Sequence, residues 1–402
     1  MKNNWQIKKL SELCTLFTDG DWIERKDQST EGIRLIQTGN VGNGIFKNRA
    51  EKGRYISEKT FERLGCTEIL PGDCLISRLP DPIGRSCILP KAGEKMITAV
   101  DCTITRFKKE VVLPQWFVYY SLSYEYQDQI NKQISGATRQ RISRSNLGLI
   151  EIPLPPISEQ RWMVKLLDEA FEKTAKAQEN AEKNMQNSKD LFESYSQNIF
   201  SEPGKDWQQK RLKEIGQTQT GLTPSTSNKS YFGDRIPFIK PADVDINGNG
   251  SIRYDNEGLS NEGLQAGRQI KKHSILMVCI GASIGKVGFS EKDVSCNQQI
   301  NTLTPKPDFN PKFFYYAMRT KSFFNKILKN SSQATLPIIN KSKWGNLQIS
   351  FPMSQKEQDA IVKKLDTLAE DTKKLEGNYE YKLSDLGEFK KSILKMALTN
   401  SL

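Results

Sequence analysis

Histidine is almost missing: His273 is the only one in 402 residues. That excludes a two-histidine zinc site, an H-E-x-x-H protease and any acid–base relay built on a histidine pair. Long apolar runs are missing too. No stretch of about 18 apolar residues offers a membrane span, and the N-terminal MKNNWQIKKL lacks the apolar core of a signal peptide. A cytoplasmic chain with no membrane partner is expected. The seven cysteines (Cys14, Cys66, Cys74, Cys87, Cys102, Cys279, Cys296) form no C-x-x-C pair and are odd in number. They read as reduced, buried small hydrophobes rather than a disulfide frame or a metal site.

Catalytic motifs are also lacking. Neither an N-P-P-[YF] motif of amino-methyltransferases nor a glycine fingerprint for their cofactor occurs. Pro80-Asp81 and Pro307-Asp308 are not followed by the spaced acidic-x-Lys of a P-D…[DE]-x-K nuclease. Gly281-Ala-Ser-Ile-Gly285-Lys286 lacks the first glycine of a phosphate loop and the hydroxyl residue after Lys286, so it reads as a turn after a strand. Asp245-Ile-Asn-Gly-Asn-Gly250 starts like a calcium loop, but Asn256 stands where a bidentate Glu is needed. An Asn-Gly hairpin turn is the expectation there.

What is present begins with charge. Lys and Arg number 59 against 47 Asp and Glu, a net +12, which suits a polyanionic partner such as nucleic acid. The chain is also written twice. Trp5-Gln-Ile-Lys-Lys-Leu10-Ser-Glu-Leu13 recurs as Trp207-Gln-Gln-Lys-Arg-Leu212-Lys-Glu-Ile215, and Ile83-Gly84-Arg85 as Ile284-Gly285-Lys286. Pro114-Gln-Trp-Phe-Val-Tyr-Tyr120 recurs as Pro311-Lys-Phe-Phe-Tyr-Tyr316, Ala137-Thr138 as Ala334-Thr335, and Glu159-Gln160 as Glu357-Gln358. Segments kept in order at a separation of about 200 residues mean a tandem duplication of a domain with an appendage.

Each copy has two unlike parts. Residues 1–155 and 203–353 mix short β-branched runs (Ile33-Arg-Leu-Ile36, Ile275-Leu-Met-Val-Cys-Ile280) with turns and with helical stretches at 114–133 and 311–328. An α+β domain is expected in both. Residues 156–202 and 354–402 read as long helices. In the first, Val164, Leu167, Phe171, Thr174, Gln178, Ala181, Met185, Ser188, Phe192, Tyr195 and Ile199 alternate by threes and fours. In the second, Ile361, Leu365, Leu368, Thr372, Leu375, Tyr379, Lys382, Leu386, Phe389, Ile393 and Met396 do the same. Such spacing keeps one stripe facing a partner helix. An antiparallel coiled coil between the two helices buries both stripes, with a whole domain as the connection.

The polar clusters that could touch nucleic acid lie in the domains. Arg139, Gln140, Arg141 and Arg144 crowd one segment, and Arg forks and Gln amides match guanine, adenine and phosphate edges. The second copy keeps the threonine as Thr335 but replaces the arginines, offering Gln333, Lys341 and Lys343 in the same frame, which implies a different target. Further candidates are Arg34, Gln37, Asn40, Lys47, Arg49 and Arg78 in the first domain, and Lys240, Asp243, Lys286, Gln298 and Gln299 in the second.

Taken with Ile152-Pro-Leu-Pro-Pro-Ile-Ser-Glu-Gln160 before the first helix, the chain resembles the specificity subunit of a type I restriction-modification enzyme. The second copy, Ile349-Ser-Phe-Pro-Met-Ser-Gln-Lys-Glu-Gln358, departs by one inserted residue and a lost proline. The resemblance implies two target recognition domains, each reading half of a split, asymmetric site in double-stranded DNA. It implies helices that set the gap between the half-sites and dock two methyltransferase subunits, to which restriction subunits add. It implies no cofactor on this chain, with S-adenosylmethionine, magnesium and ATP on the partners. A coiled-coil adaptor with two ligand-binding heads is the alternative, and gel shift with and without a methyltransferase separates the two. A self-sufficient nuclease is opposed by the missing motifs.

Overall fold

The computed structural model describes residues 5–136, 139–245, 248–332 and 336–398. The chain divides into two compact units, Met1–Asn180 with Lys382–Leu402, and Ala181–Tyr381. Each unit therefore holds one globular domain together with part of both long helices.

In the first unit, the short β-branched runs Ile33–Ile36 and Cys74–Ser77, buried at every position including Arg34 and Ser77, become central strands. Cys74–Ser77 lies in a four-stranded antiparallel sheet in the order Cys14–Asp19, Cys102–Phe107, Cys74–Ser77, Ser86–Ile88. Ile33–Ile36 lies in a second sheet and runs parallel to Met96–Thr98. A separate antiparallel pair, Gln6–Lys9 with Glu151–Leu154, brings the two ends of the domain together.

The second unit repeats this plan. Its four-stranded sheet runs Gly216–Thr220, Ile300–Pro305, Ile275–Val278, Val287–Phe289. Phe232–Ile239 runs parallel to Ser295–Cys296, and Trp207–Arg211 pairs antiparallel with Gln348–Pro352. The internal duplication read from scattered motifs is thus a duplication of topology. The expected α+β class holds in both halves.

The two expected helical stretches each split into a pair. Pro114–Ser121 is followed by Tyr124–Lys132, and Pro311–Met318 by Lys321–Asn330. Ser123 and Thr320 cap the second helices by accepting from Tyr126 N at 3.1 Å and Phe323 N at 3.3 Å. A capping hydroxyl starts a new helix where hydropathy alone reads through.

The long helices run Ile157–Ser201 and Gln355–Leu398. In the first unit Leu167 is buried with Tyr119, Leu394 and Ala397, and Val164, Phe171 and Ile393 pack around them. The start of one helix therefore meets the end of the other. In the second unit the reverse holds: Phe192 and Ile199 join a core containing Ile361, Val362 and Leu365. Pairing is antiparallel in each unit. The stripe differs in detail from the expected one. Phe389 is 50% exposed and Met396 37%, whereas Leu394 and Ala397 are buried; Ser196 is buried where Tyr195 was expected. Leu368 and Leu386 are half-buried. Among the described residues no helix is long and apolar enough to cross a membrane.

Candidate nucleic-acid interface

The repeated motifs prove to be joints between domain and helix. Trp5 Nε1 donates to Glu159 Oε1 at 3.3 Å, and Trp207 Nε1 to Glu357 Oε1 at 3.1 Å. Gln160, fully buried, donates to the carbonyls of Val111 and Pro155 at 3.0 and 2.8 Å and accepts from Leu113 N at 2.9 Å. Gln358 repeats this with Pro352 O at 2.8 Å and Asn310 N at 2.9 Å. Tyr119 donates to Asp168, and Tyr316 to Asp366 at 2.6 Å. The joint went unread in the sequence, although Trp and Glu-Gln recur together in both copies.

With the joints accounted for, the arginine segment stands as a surface feature. Ser135 and Arg141 exchange both backbone hydrogen bonds at 3.0 Å, closing a narrow arch. Gly136 sits at φ +102°, and a Cβ there would lie 2.5 Å from Arg139 O, so only glycine closes it. Ile142 is buried beneath the arch. Arg139, Gln140, Arg141 and Arg144 are all exposed. Arg139 reaches Asp101 at 3.2 Å and Arg144 Nη1 reaches Thr18 Oγ1 at 3.4 Å, while Arg141 has no side-chain partner among the described residues. The structure therefore gathers four of the expected residues on one rim.

The second unit closes the corresponding segment at its base in the same way. Ser332 N donates to Ile338 O at 2.9 Å, and Ile339 N to Cys279 O at 3.0 Å. Lys341 and Lys343 are exposed in the helix Lys341–Gly345, which Asn340 caps. Gln333 and Thr335 lie outside the described residues. Gly281–Lys286 is the turn joining Ile275–Val278 to Val287–Phe289, with Lys286 half-exposed. Gln299 is tied to Asn297 at 3.0 Å and Gln298 accepts from Thr223.

Four expected contact residues are instead internal struts. Arg34, 6% exposed, pairs with Glu94 at 2.9 Å and donates to Asn48 O. Arg78, 8% exposed, donates to Val100 O at 2.6 Å and Ile142 O at 3.4 Å and faces Asp19 at 3.3 Å, supporting the arch from below. Asn40 donates to the carbonyls of Lys47 and Asn48 at 2.9 and 3.1 Å. Asp243 is fully buried and accepts from Arg253 at 2.9 Å and Asn256 at 3.0 Å. A buried charge needs such partners, and they withdraw these heads from solvent. Gln37 is half-buried, whereas Lys47 and Arg49 are exposed; Lys240 pairs with Glu257. Asp245 turns a hairpin in which Val244 faces Ile252, and its Oδ1 accepts from Gly250 N at 2.5 Å. Arg85, buried, was not among the expected residues. Its guanidinium donates to the carbonyls of Thr38, Val41, Leu79 and Pro82 at 2.7–3.0 Å.

Two such domains on paired helices are what the family comparison matches: the type I restriction modification DNA specificity domain, over residues 2–184 and again over 204–391. The chain belongs to that family. Among curated members of this specificity family, the HindI specificity subunit of Haemophilus influenzae is 32% identical over 37% of this chain and 32% of its own length. The chain thus spans about a third of that relative. The putative MjaX specificity subunit of Methanocaldococcus jannaschii is 22% identical over 99% of this chain and 94% of its own. Solved specificity-subunit folds agree. The HsdS subunit from Thermoanaerobacter tengcongensis superposes with a TM-score of 0.62 at 16% identity, over 100% of this chain and 98% of that one. A chain from a type I R-M system studied for complex assembly and conformational transition gives 0.79 at 17% identity, covering 98% and 97%.

Proposed function

We propose that this specificity subunit reads a two-part, asymmetric site in double-stranded DNA, one half with each unit. One observation carries the reading: segments closed by the same backbone bridge, Ser135 with Arg141 and Ser332 with Ile338, carry exposed arginines in the first unit, whereas the second is followed by exposed Lys341 and Lys343. A shared scaffold with different edge chemistry recognises two different base sequences. Lys and Arg to phosphate supply affinity, and base contacts supply specificity. The long helices set the gap between half-sites and dock two methyltransferase subunits, to which restriction subunits add. Chemistry belongs to those partners, with S-adenosylmethionine, magnesium and ATP bound there.

The test is an exchange of residues 1–155 for the matching domain of another member, followed by mapping of methylated adenines. One half of the modified sequence should change and the other persist. Change in both halves, or in neither, refutes the division of labour.

A further inference from the structure

Arg34 and Asn40 lost their place as contacts, but what they hold is informative. Both bind the carbonyl of Asn48, and Asn40 also that of Lys47. The next residue, Arg49, adopts a left-handed backbone (φ 46°) and starts a tight turn over Ala50–Lys52. Arg54 O then accepts from Leu35 N at 2.7 Å, returning the chain to the sheet. The loop is fixed at both ends from inside, so the side chains it carries outward are positioned by the core.

Those side chains are cations without partners. Arg49, Lys52 and Arg54 are exposed, and none forms an ion pair or side-chain hydrogen bond among the described residues. With Gln37, Gly39 and Asn40 they line a cleft of about 360 Å³ that contains no carboxylate. A Cβ on Gly39 would lie 2.5 Å from Arg49 Nη1, so glycine leaves room for the guanidinium. Beneath, Arg85 adds a buried positive charge bonded only to carbonyls, two of them on Thr38 and Val41, either side of Gly39 and Asn40. Glu51, in the same turn, pairs with none of them.

The second unit supplies the internal control. Lys240 N donates to Asp243 Oδ2 (3.0 Å) just as Gln37 N donates to Asn40 Oδ1 (2.9 Å), so the two turns correspond. There each cation faces an acid: Arg253 meets Asp243 at 2.9 Å, and Lys240 meets Glu257. One copy neutralises its charge internally and the other leaves it open.

We propose that Arg49, Lys52 and Arg54 grip a backbone phosphate of duplex DNA, an electrostatic anchor built into the first unit and absent from the corresponding turn of the second. The proposal rests on the DNA-reading function. Guanidinium forks match phosphate oxygens, and such contacts are sequence-independent and salt-sensitive.

The experiment is duplex binding by fluorescence anisotropy across a salt series, using the full-length chain co-expressed with methyltransferase subunits. Each phosphate contact contributes about 0.9 to the magnitude of the slope of log K against log salt, so losing this one contact in R49A/R54A should lower that magnitude by about 0.9. R49K/R54K should retain most of it, which separates charge from misfolding, and K240A should leave it nearly unchanged. An unchanged slope in R49A/R54A, with wild type still salt-dependent, overturns the anchor and leaves the DNA reading standing. Wild type that binds no duplex overturns both. Inorganic phosphate alone should give no saturable heat in calorimetry. Saturable uptake that R49A/R54A lacks, with the slope intact, makes the cleft a small-anion site and overturns the duplex assignment.

Discussion

Asn40 and Asp243 occupy one position in two copies of a turn, and their chemistry is inverted: the amide donates to carbonyls, the carboxylate gathers Arg253 and Asn256. Sequence alone marks both as polar loop residues, because burial of a short polar side chain depends on partners brought from elsewhere in the chain. Arg78 and Arg141 show the same ambiguity, since neither composition nor spacing separates a strut from a contact. Their substitutions should. Arg78→Ala leaves the Val100 and Ile142 carbonyls without their donor and should lower unfolding stability by about 1–3 kcal/mol. Arg141→Ala should shift stability by less than about 0.5 kcal/mol and weaken DNA binding by about 1–3 kcal/mol if it meets a base. Denaturant melts beside anisotropy check both. The cysteines were legible as free thiols, and six of the seven are buried, with Cys14 half-buried. Burial pushes Cys14, Cys74, Cys279 and Cys296 up to about 12 and Cys66 to about 11, from an ordinary 9.0. An unfolded thiol ionises first, so this stabilisation is complete below about pH 9 and is lost as pH rises towards 12. Melting temperature should fall across that window, and less so when Cys279 is replaced by Ala.

At the scale of elements, strands, long helices and their antiparallel sense were readable, because uninterrupted apolar runs and seam spacing follow from backbone geometry. The exact seam was not. A repeat of 3.5 drifts against a helix of 3.6 residues per turn, and near its end the last helix turns Leu394 and Ala397, not Phe389, towards Tyr119 and Leu167. Leu167→Ala, at a fully buried site, should cost about 2–5 kcal/mol. Phe389→Ala, at a half-exposed one, should cost well under that, by the same denaturation measurement. The middle of the first helix buries Thr174, Ala181 and Ser188, small residues that carry little hydropathy signal. Thr174 and Ser188 return their hydroxyls to Ala170 O and Asn184 O, at 2.7 and 2.9 Å, so no buried donor is left open there.

At the scale of the molecule, the duplication was legible but the partition of the units was not, because the sequence places each helix after its own domain. The first unit is discontinuous: it takes Lys382–Leu402 from the far end of the chain, whereas Ala181–Tyr381 is one stretch. Removing the chain beyond Tyr381 strips Leu394 and Ala397 from Leu167 and Tyr119. Limited proteolysis of that truncation should cut the first unit rapidly and spare the second.

The same discontinuity has a bearing on birth at the ribosome. The half that emerges first must wait for Lys382–Leu402, made after the whole second domain, before its helix has a companion, while the later half can close as soon as it is out. Assembly order thus runs against translation order, and the turn bearing Leu394 and Ala397 serves as a clasp that is fastened only after both domains have been made.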